Sequence, residues 1–211
     1  VIKSTLCPEF FEDYSCTENI SLGINVKVLN TMLKKAKKGD QVGFKSNGET
    51  IIFNFGLEWS FSLKLIDIQE DNYEIPAVNY DFSVSLNPHV LKEWQSLFSA
   101  TNARVEFSFV ESKHESSVVM DTDNVALQLT SEGENMTVKK LETLHFDICN
   151  SPYSFGLNEK SMSIITSLSK FNKDICMCFQ NQTPIEFSFE LGTHGSVDCW
   201  FAPMVNDEED L

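Results

Sequence analysis

The stretch "VKVLNTMLKKAKKGDQVGFKSNGETIIFNF", Val26 to Phe55, changes period halfway along. Up to Ala36 the apolar residues recur three and four apart, which predicts a helix with Val26, Leu29, Met32, Leu33 and Ala36 on its inner side, stopped at Gly39. Beyond it "QVGFKS" and "TIIFNF" alternate with a period of two around Asn47-Gly48, a strong hairpin signal. The stretch therefore reads as a helix followed by an antiparallel pair.

The same unit recurs twice. "NPHVLKEWQSLFS" offers Asn87 as N-cap and Pro88 at the first helical position, with Val90, Leu91, Trp94, Leu97 and Phe98 facing inward. "NEKSMSIITSLSKF" begins at Asn158 and turns Met162, Ile165, Leu168 and Ile164 or Phe171 inward. Strand-like runs follow both, "RVEFSFV" with "SSVVM" and "DICMCF" with "PIEFSFEL". A repeat this long is no solenoid. Strands outnumber helices, which predicts an α+β protein of antiparallel sheets with helices on one face, and the hairpins disfavour a parallel doubly wound sheet. "IDIQEDNYEIPAVNYD", Ile66 to Asp81, is acidic, carries Pro76 and has no clean period. It predicts a linker over 66–82 between a first domain, 1–65, and a second, 83–211, that ends in an acidic tail.

With 31 Asp and Glu against 16 Lys and Arg, the chain carries a formal charge of −15, so its average surface repels nucleic acid and anionic lipid. Any anion-binding function needs a local basic patch. No apolar run approaches the ~20 residues that span a bilayer. The six cysteines sit at irregular spacing among apolar residues, the pattern of reduced intracellular thiols rather than of a secreted disulfide framework. That reading leaves the Asn-x-Ser/Thr triplets at Asn19, Asn135 and Asn181 without a glycosylating compartment. Cys176 and Cys178 would share one face of a strand, and a core pair is the simpler reading than a zinc half-site. There is no Walker loop, nucleophile elbow or metal-spaced cluster, and His89, His114, His145 and His194 lie far apart, so no enzymatic activity, cofactor or metal is expected.

The first helix concentrates what basic charge there is. Lys27, Lys34, Lys35, Lys37 and Lys38 come with no acid between them, and Lys160, Lys170 and Lys173 flank the third helix. A solvated helix face explains such a run in isolation. In an acidic body it also suits phosphate contacts to DNA without base reading. The second helix adds only Lys92 and His89 beside Glu93.

Three segments together resemble the eukaryotic sliding clamps, the proliferating cell nuclear antigen (PCNA) family. They are "YSCTENISLGINVKVLNTMLKKAKKGD", "LKLIDIQEDNYEIPAVNYDFSVSL" and the C-terminal "FAPMVNDEED". The resemblance implies the DNA clamp fold: two topologically similar domains per subunit, three subunits in a ring, helices lining the hole and sheets outside. It also implies an upstream segment carrying the first helix and strands of the first domain.

In that picture Lys27, Lys34, Lys35, Lys37, Lys38, Lys92, Lys160 and Lys170 face double-stranded DNA without sequence specificity. A groove for partner peptides takes in Val1, Tyr73, Ile75, Pro76, Tyr80, Pro184, Trp200, Phe201, Ala202 and Pro203, with Tyr73 and Trp200 narrowing it. Ring closure would use edge strands at about 58–65 and 122–129. The implied function is a nuclear, homotrimeric processivity factor and docking hub for DNA polymerase, the clamp loader and other replication and repair proteins that carry a PCNA-interacting peptide (PIP box). The alternatives are a subunit of a heterotrimeric checkpoint-type clamp, or a β-rich peptide-binding module that never encircles DNA.

Overall fold

A computed structural model describes residues 1–67, 78–80, 82–99, 104–111, 125–132, 137–144, 154–170, 175–180 and 183–204. They form two compact units, 15–76 and a larger one joining 1–14 to 77–211. The opening fourteen residues thus leave the expected first domain, because β1 (Ile2–Leu6) pairs antiparallel with the last strand of the chain.

The smaller unit is the helix and hairpin of the opening stretch plus one strand. α1 (Val26–Leu33) precedes β2 (Val42–Ser46), β3 (Thr50–Phe55) and β4 (Trp59–Lys64), which form an antiparallel meander in that order. Asn25 caps α1, its side chain accepting from the N–H groups of Lys27 and Val28. The helix ends earlier than its period predicts, at Leu33. Lys34, Lys35, Lys37 and Lys38 would stack like charges three and four apart in a continued helix. Instead the chain tightens into turns, the Lys35 and Ala36 N–H groups bonding the carbonyls of Met32 and Leu33. Asp40 then takes the Lys37 N–H at 2.8 Å.

Met32 is buried and Leu29 and Ala36 half-buried as expected, but Val26 (73% exposed) and Leu33 (44%) face solvent. The hairpin forms at Asn47-Gly48: Gly48 takes the positive φ of 89°, and the Asn47 side chain accepts from Glu49 and Thr50 N–H groups. Met32, Ile51, Phe53 and Phe55 make the small core.

The larger unit has two sheets. β5 (Phe82–Leu86) leads into α2 (Pro88–Phe98), followed by β6 (Val105–Glu111), β7 (Val125–Glu132), β8 (Thr137–Leu144) and β9 (Ser154–Leu157). α3 (Glu159–Leu168) is followed by the meander β10 (Ile175–Phe179), β11 (Ile185–Glu190) and β12 (Gly195–Phe201). The sheet orders are β1-β12-β11-β10-β5 and β8-β7-β6-β9. β7 therefore has a neighbour on each side, and the expected edge at 122–129 is wrong. Among the described residues the edge there is β8, because β7 shares its backbone hydrogen bonds between β6 on one side and β8 on the other. Among the described residues β4 pairs only with β3, so 58–65 lies at an edge there.

Asn87 and Asn158 cap their helices as read from the sequence, accepting from the N–H groups of His89 and Ser161. Leu91, Trp94, Met162 and Ile165 are buried, Val90 and Leu168 half-buried, and Ile164 exposed. The Leu97 and Phe98 side chains, Phe171 and the run "SSVVM" lie outside the described residues. Aromatic rings link the layers: Trp94 packs edge-on to Phe107, Phe107 stacks on Phe155 at 4.8 Å, and Phe155 meets Phe179 of the other sheet.

Candidate functional site

The eight lysines expected to face DNA are all exposed. Lys27 lies in the first turn of α1, Lys34 is its C-cap, and Lys35, Lys37 and Lys38 follow in the turns. Cations just past a helix C-terminus favour its orphan carbonyls, so the run is locally compatible with the fold as well as with an anion. Lys37 Nζ sits 3.2 Å from Glu58 Oε2, both side chains being 68% exposed. An exposed pair of this kind contributes little and yields readily to a phosphate. Lys27, Lys34, Lys35 and Lys38 have no carboxylate in ion-pair reach among the described residues. In the larger unit, Lys92 on α2, Lys160 in the first turn of α3 and Lys170 just after it are also exposed. α2 and α3 pack together, with Gln95 donating to Ser163 across the contact at 3.1 Å. These three cations therefore belong to one helix pair.

Part of the expected peptide groove is drawn together in the larger unit. β1 and β12 close at their ends through two bonds, Val1 N to Trp200 O and Trp200 N to Val1 O, both 2.9 Å. Gly195 is what lets the other end of that pair close. At φ 141° its bare Cα approaches Thr5 so tightly that a Cβ would overlap the Thr5 carbonyl oxygen. Tyr80 donates its hydroxyl to Pro184 O at 3.0 Å. Trp200, Phe201 and Pro203 are half-buried, Ala202 and Val1 exposed, and Phe201 packs edge-on to Phe187. Tyr73, Ile75 and Pro76 lie outside the described residues, as does the acidic tail from 205.

The strands bordering this surface are more polar than the sequence reading assumed. Ile175, Met177 and Phe179 fill the core, so Cys176 and Cys178 point to the opposite face, half-buried, with sulfurs 3.6 Å apart. They are not the expected core pair, because the strict alternation of β10 gives the core to their neighbours. On the same face Glu186 lies opposite both Cys178 and Trp200. Burial, and then the nearby Asp198, raise the Glu186 carboxyl above its ordinary value, partly offset by the neighbouring indole of Trp200. Burial, with Glu186 and Cys178 nearby, pushes Tyr80 up to about 12. Asp198 is held by the hydroxyls of Ser188 (2.6 Å) and Ser196 (2.9 Å). Sequence reasoning missed Glu186, although the alternation of "PIEFSFE" against its buried Ile185, Phe187 and Phe189 places it on the outer face.

Among the described residues no group of His, Cys, Asp and Glu is arranged to hold a metal ion, and no helix is long and apolar enough to cross a membrane. Residues 1–81 match the family described as "Proliferating cell nuclear antigen, N-terminal domain". Along nearly the whole chain there is similarity to the proliferating cell nuclear antigen of Chaetomium thermophilum, 22% identical over 216 residues (99% of this chain, 82% of that protein). DNA polymerase sliding clamp 1 of Thermococcus kodakarensis is 23% identical over 210 residues, covering 98% of this chain and 81% of the relative. The DNA polymerase sliding clamp of Thermococcus fumicolans gives the same figures.

Proposed function

On the premise that residues 1–81 match the PCNA N-terminal family and that the chain aligns with sliding clamps along its length, we propose that the protein is a DNA sliding clamp. It acts without catalysis, as a mobile tether that encircles double-stranded DNA and holds a polymerase and other peptide-bearing partners to it. The observation that carries this reading is the run of exposed lysines at the end of α1 in a chain of charge −15. A cationic stripe holds phosphates without reading bases, and the acidic remainder keeps DNA from binding elsewhere.

The edges that β4 and β8 present among the described residues suit closure between copies, since unpaired N–H and C=O groups of an edge strand are satisfied by a partner strand. In this reading ring closure uses 137–144, not 122–129. The relationship to a eukaryotic clamp favours a nuclear homotrimer. Replacing Lys34, Lys35, Lys37 and Lys38 by Glu tests the central claim: loading onto circular DNA and stimulation of a polymerase should be lost while the oligomeric state by light scattering is kept. Unchanged loading would favour a peptide-binding module that never encircles DNA, and assembly only with dissimilar partners would favour a checkpoint-type heterotrimer.

A further inference from the structure

Two rows of side chains cross the outer face of the five-stranded sheet. One runs Ser83, Cys178, Glu186, Trp200; the next runs Ser85, Cys176, Ser188, Asp198, Lys3. The first row borders Tyr80, whose hydroxyl is fixed on Pro184 at 3.0 Å. It therefore underlies the described part of the groove, and at its centre stands a carboxylate rather than an apolar side chain.

Glu186 is half-buried, yet no cation lies within ion-pair distance of it among the described residues. Lys3 is exposed in the neighbouring row, opposite Asp198, and pairs with neither acid. The groups that face Glu186 are the indole N–H of Trp200, the phenol of Tyr80, the thiol of Cys178 and the carboxylate of Asp198. Only the indole compensates the charge. A partly desolvated carboxylate with a single neutral donor is an incomplete ion pair, and an ammonium or guanidinium brought by a ligand completes it with charge-assisted hydrogen bonds.

We propose that Glu186 makes this groove select partner peptides that carry a basic side chain beside their hydrophobic anchors, resting on the reading of the surface as the clamp's peptide groove. Trp200 and Phe201 supply apolar area for the anchors, and Glu186 sets the sign of the charge that may accompany them. A peptide that is apolar or acidic at that point leaves the carboxylate buried without a partner. Discrimination follows from that penalty as much as from attraction.

The test uses the full chain and fluorescein-labelled peptides carrying the PCNA-interacting motif, with a single lysine moved through the positions that flank the anchors. Each is compared with the same peptide bearing methionine there. At low salt, one lysine position should bind about fivefold tighter than its methionine counterpart, with the gap narrowing as salt rises. Glu186→Gln, which keeps the side-chain shape, should abolish that difference. If the motif peptides bind but lysine gives no advantage at any position, or if the advantage survives in Glu186→Gln, the inference is overturned and the groove reading stands. If no motif peptide binds the wild-type chain, the groove reading itself is overturned and this inference with it.

Discussion

The two units begin from the same plan, a helix followed by a three-stranded meander, and differ in what lies beside the first strand of the meander. β10 is flanked by β5, which leads into α2, and its Ile175 and Met177 are wholly buried. β2 has no strand on that side among the described residues, and its Val42 and Phe44 are 48% and 54% exposed. Among the described residues nineteen buried side chains make one core and four make the other. A common local pattern should thus give unequal stability, because the gain from burial scales with the area covered rather than with the pattern that starts it.

The largest test of this difference lies in the big core. Phe187→Ala removes a fully buried ring and should cost about 3–5 kcal/mol of unfolding free energy in denaturant titration. Trp94→Ala should cost a similar amount. Trp94→Phe should cost clearly less, because the indole N–H it removes is buried without a partner among the described residues. The small core responds differently. Phe55→Ala should strip amide-exchange protection from β3 and β4 while leaving β10 to β12 protected, so the two units would separate in one hydrogen-exchange experiment. Equal loss of protection in both units would show that they unfold as one.

Next in size is the joint between the two ends of the chain. Gly195→Ala places a methyl group on the Thr5 carbonyl, and detaching β1 is the relief open to it. The cost should exceed the ~1 kcal/mol typical of a glycine change, with β1 amides losing protection first. The helix caps come below that. Asn25→Ala and Asn158→Ala should each cost about 1 kcal/mol, since each Asn satisfies otherwise orphaned N–H groups. Within the comparison, the Asn25 change should matter more to its unit, whose core offers less in reserve.

Most of this architecture was legible because it is local. Period changes, Asn caps and Asn-Gly turns are written in neighbouring residues, and the two caps read in advance, the hairpin and the meander strands formed where their patterns placed them. The pairings between distant segments were not legible. Nothing in "IKSTL" announces β12 as its partner, and nothing in "VALQLTSE" says whether the strand lies at an edge or inside the sheet. α1 was overestimated because its apolar period continues past Leu33 while the repulsion of its lysines stops the helix. The charged part of the site was visible as composition. The polar face beside Trp200 was hidden, since Glu186 looks like any solvated residue of an alternating strand until the register sets it against Trp200 and Cys178.

The smallest predicted effect is also the most specific to that face. Glu186 has a carboxyl raised above its ordinary value of 4.5, by burial first and Asp198 second, so ionising it disfavours the folded state. For a group whose folded value is raised, the favourable contribution is complete below the unfolded value and disappears as pH climbs through the folded one. Glu186→Gln should therefore melt at the same temperature as wild type in acid below 4.5 and at a higher one near neutrality, the gap opening as the wild-type carboxyl ionises. The gain should be modest, because the carboxylate is only partly removed from solvent. Adding a saturating lysine-bearing peptide should reverse the order near neutrality, because the ligand then supplies the charge that only wild type can use. A variant that melts above wild type by the same margin at every pH would mean that the change acts through packing and not through the charge of Glu186.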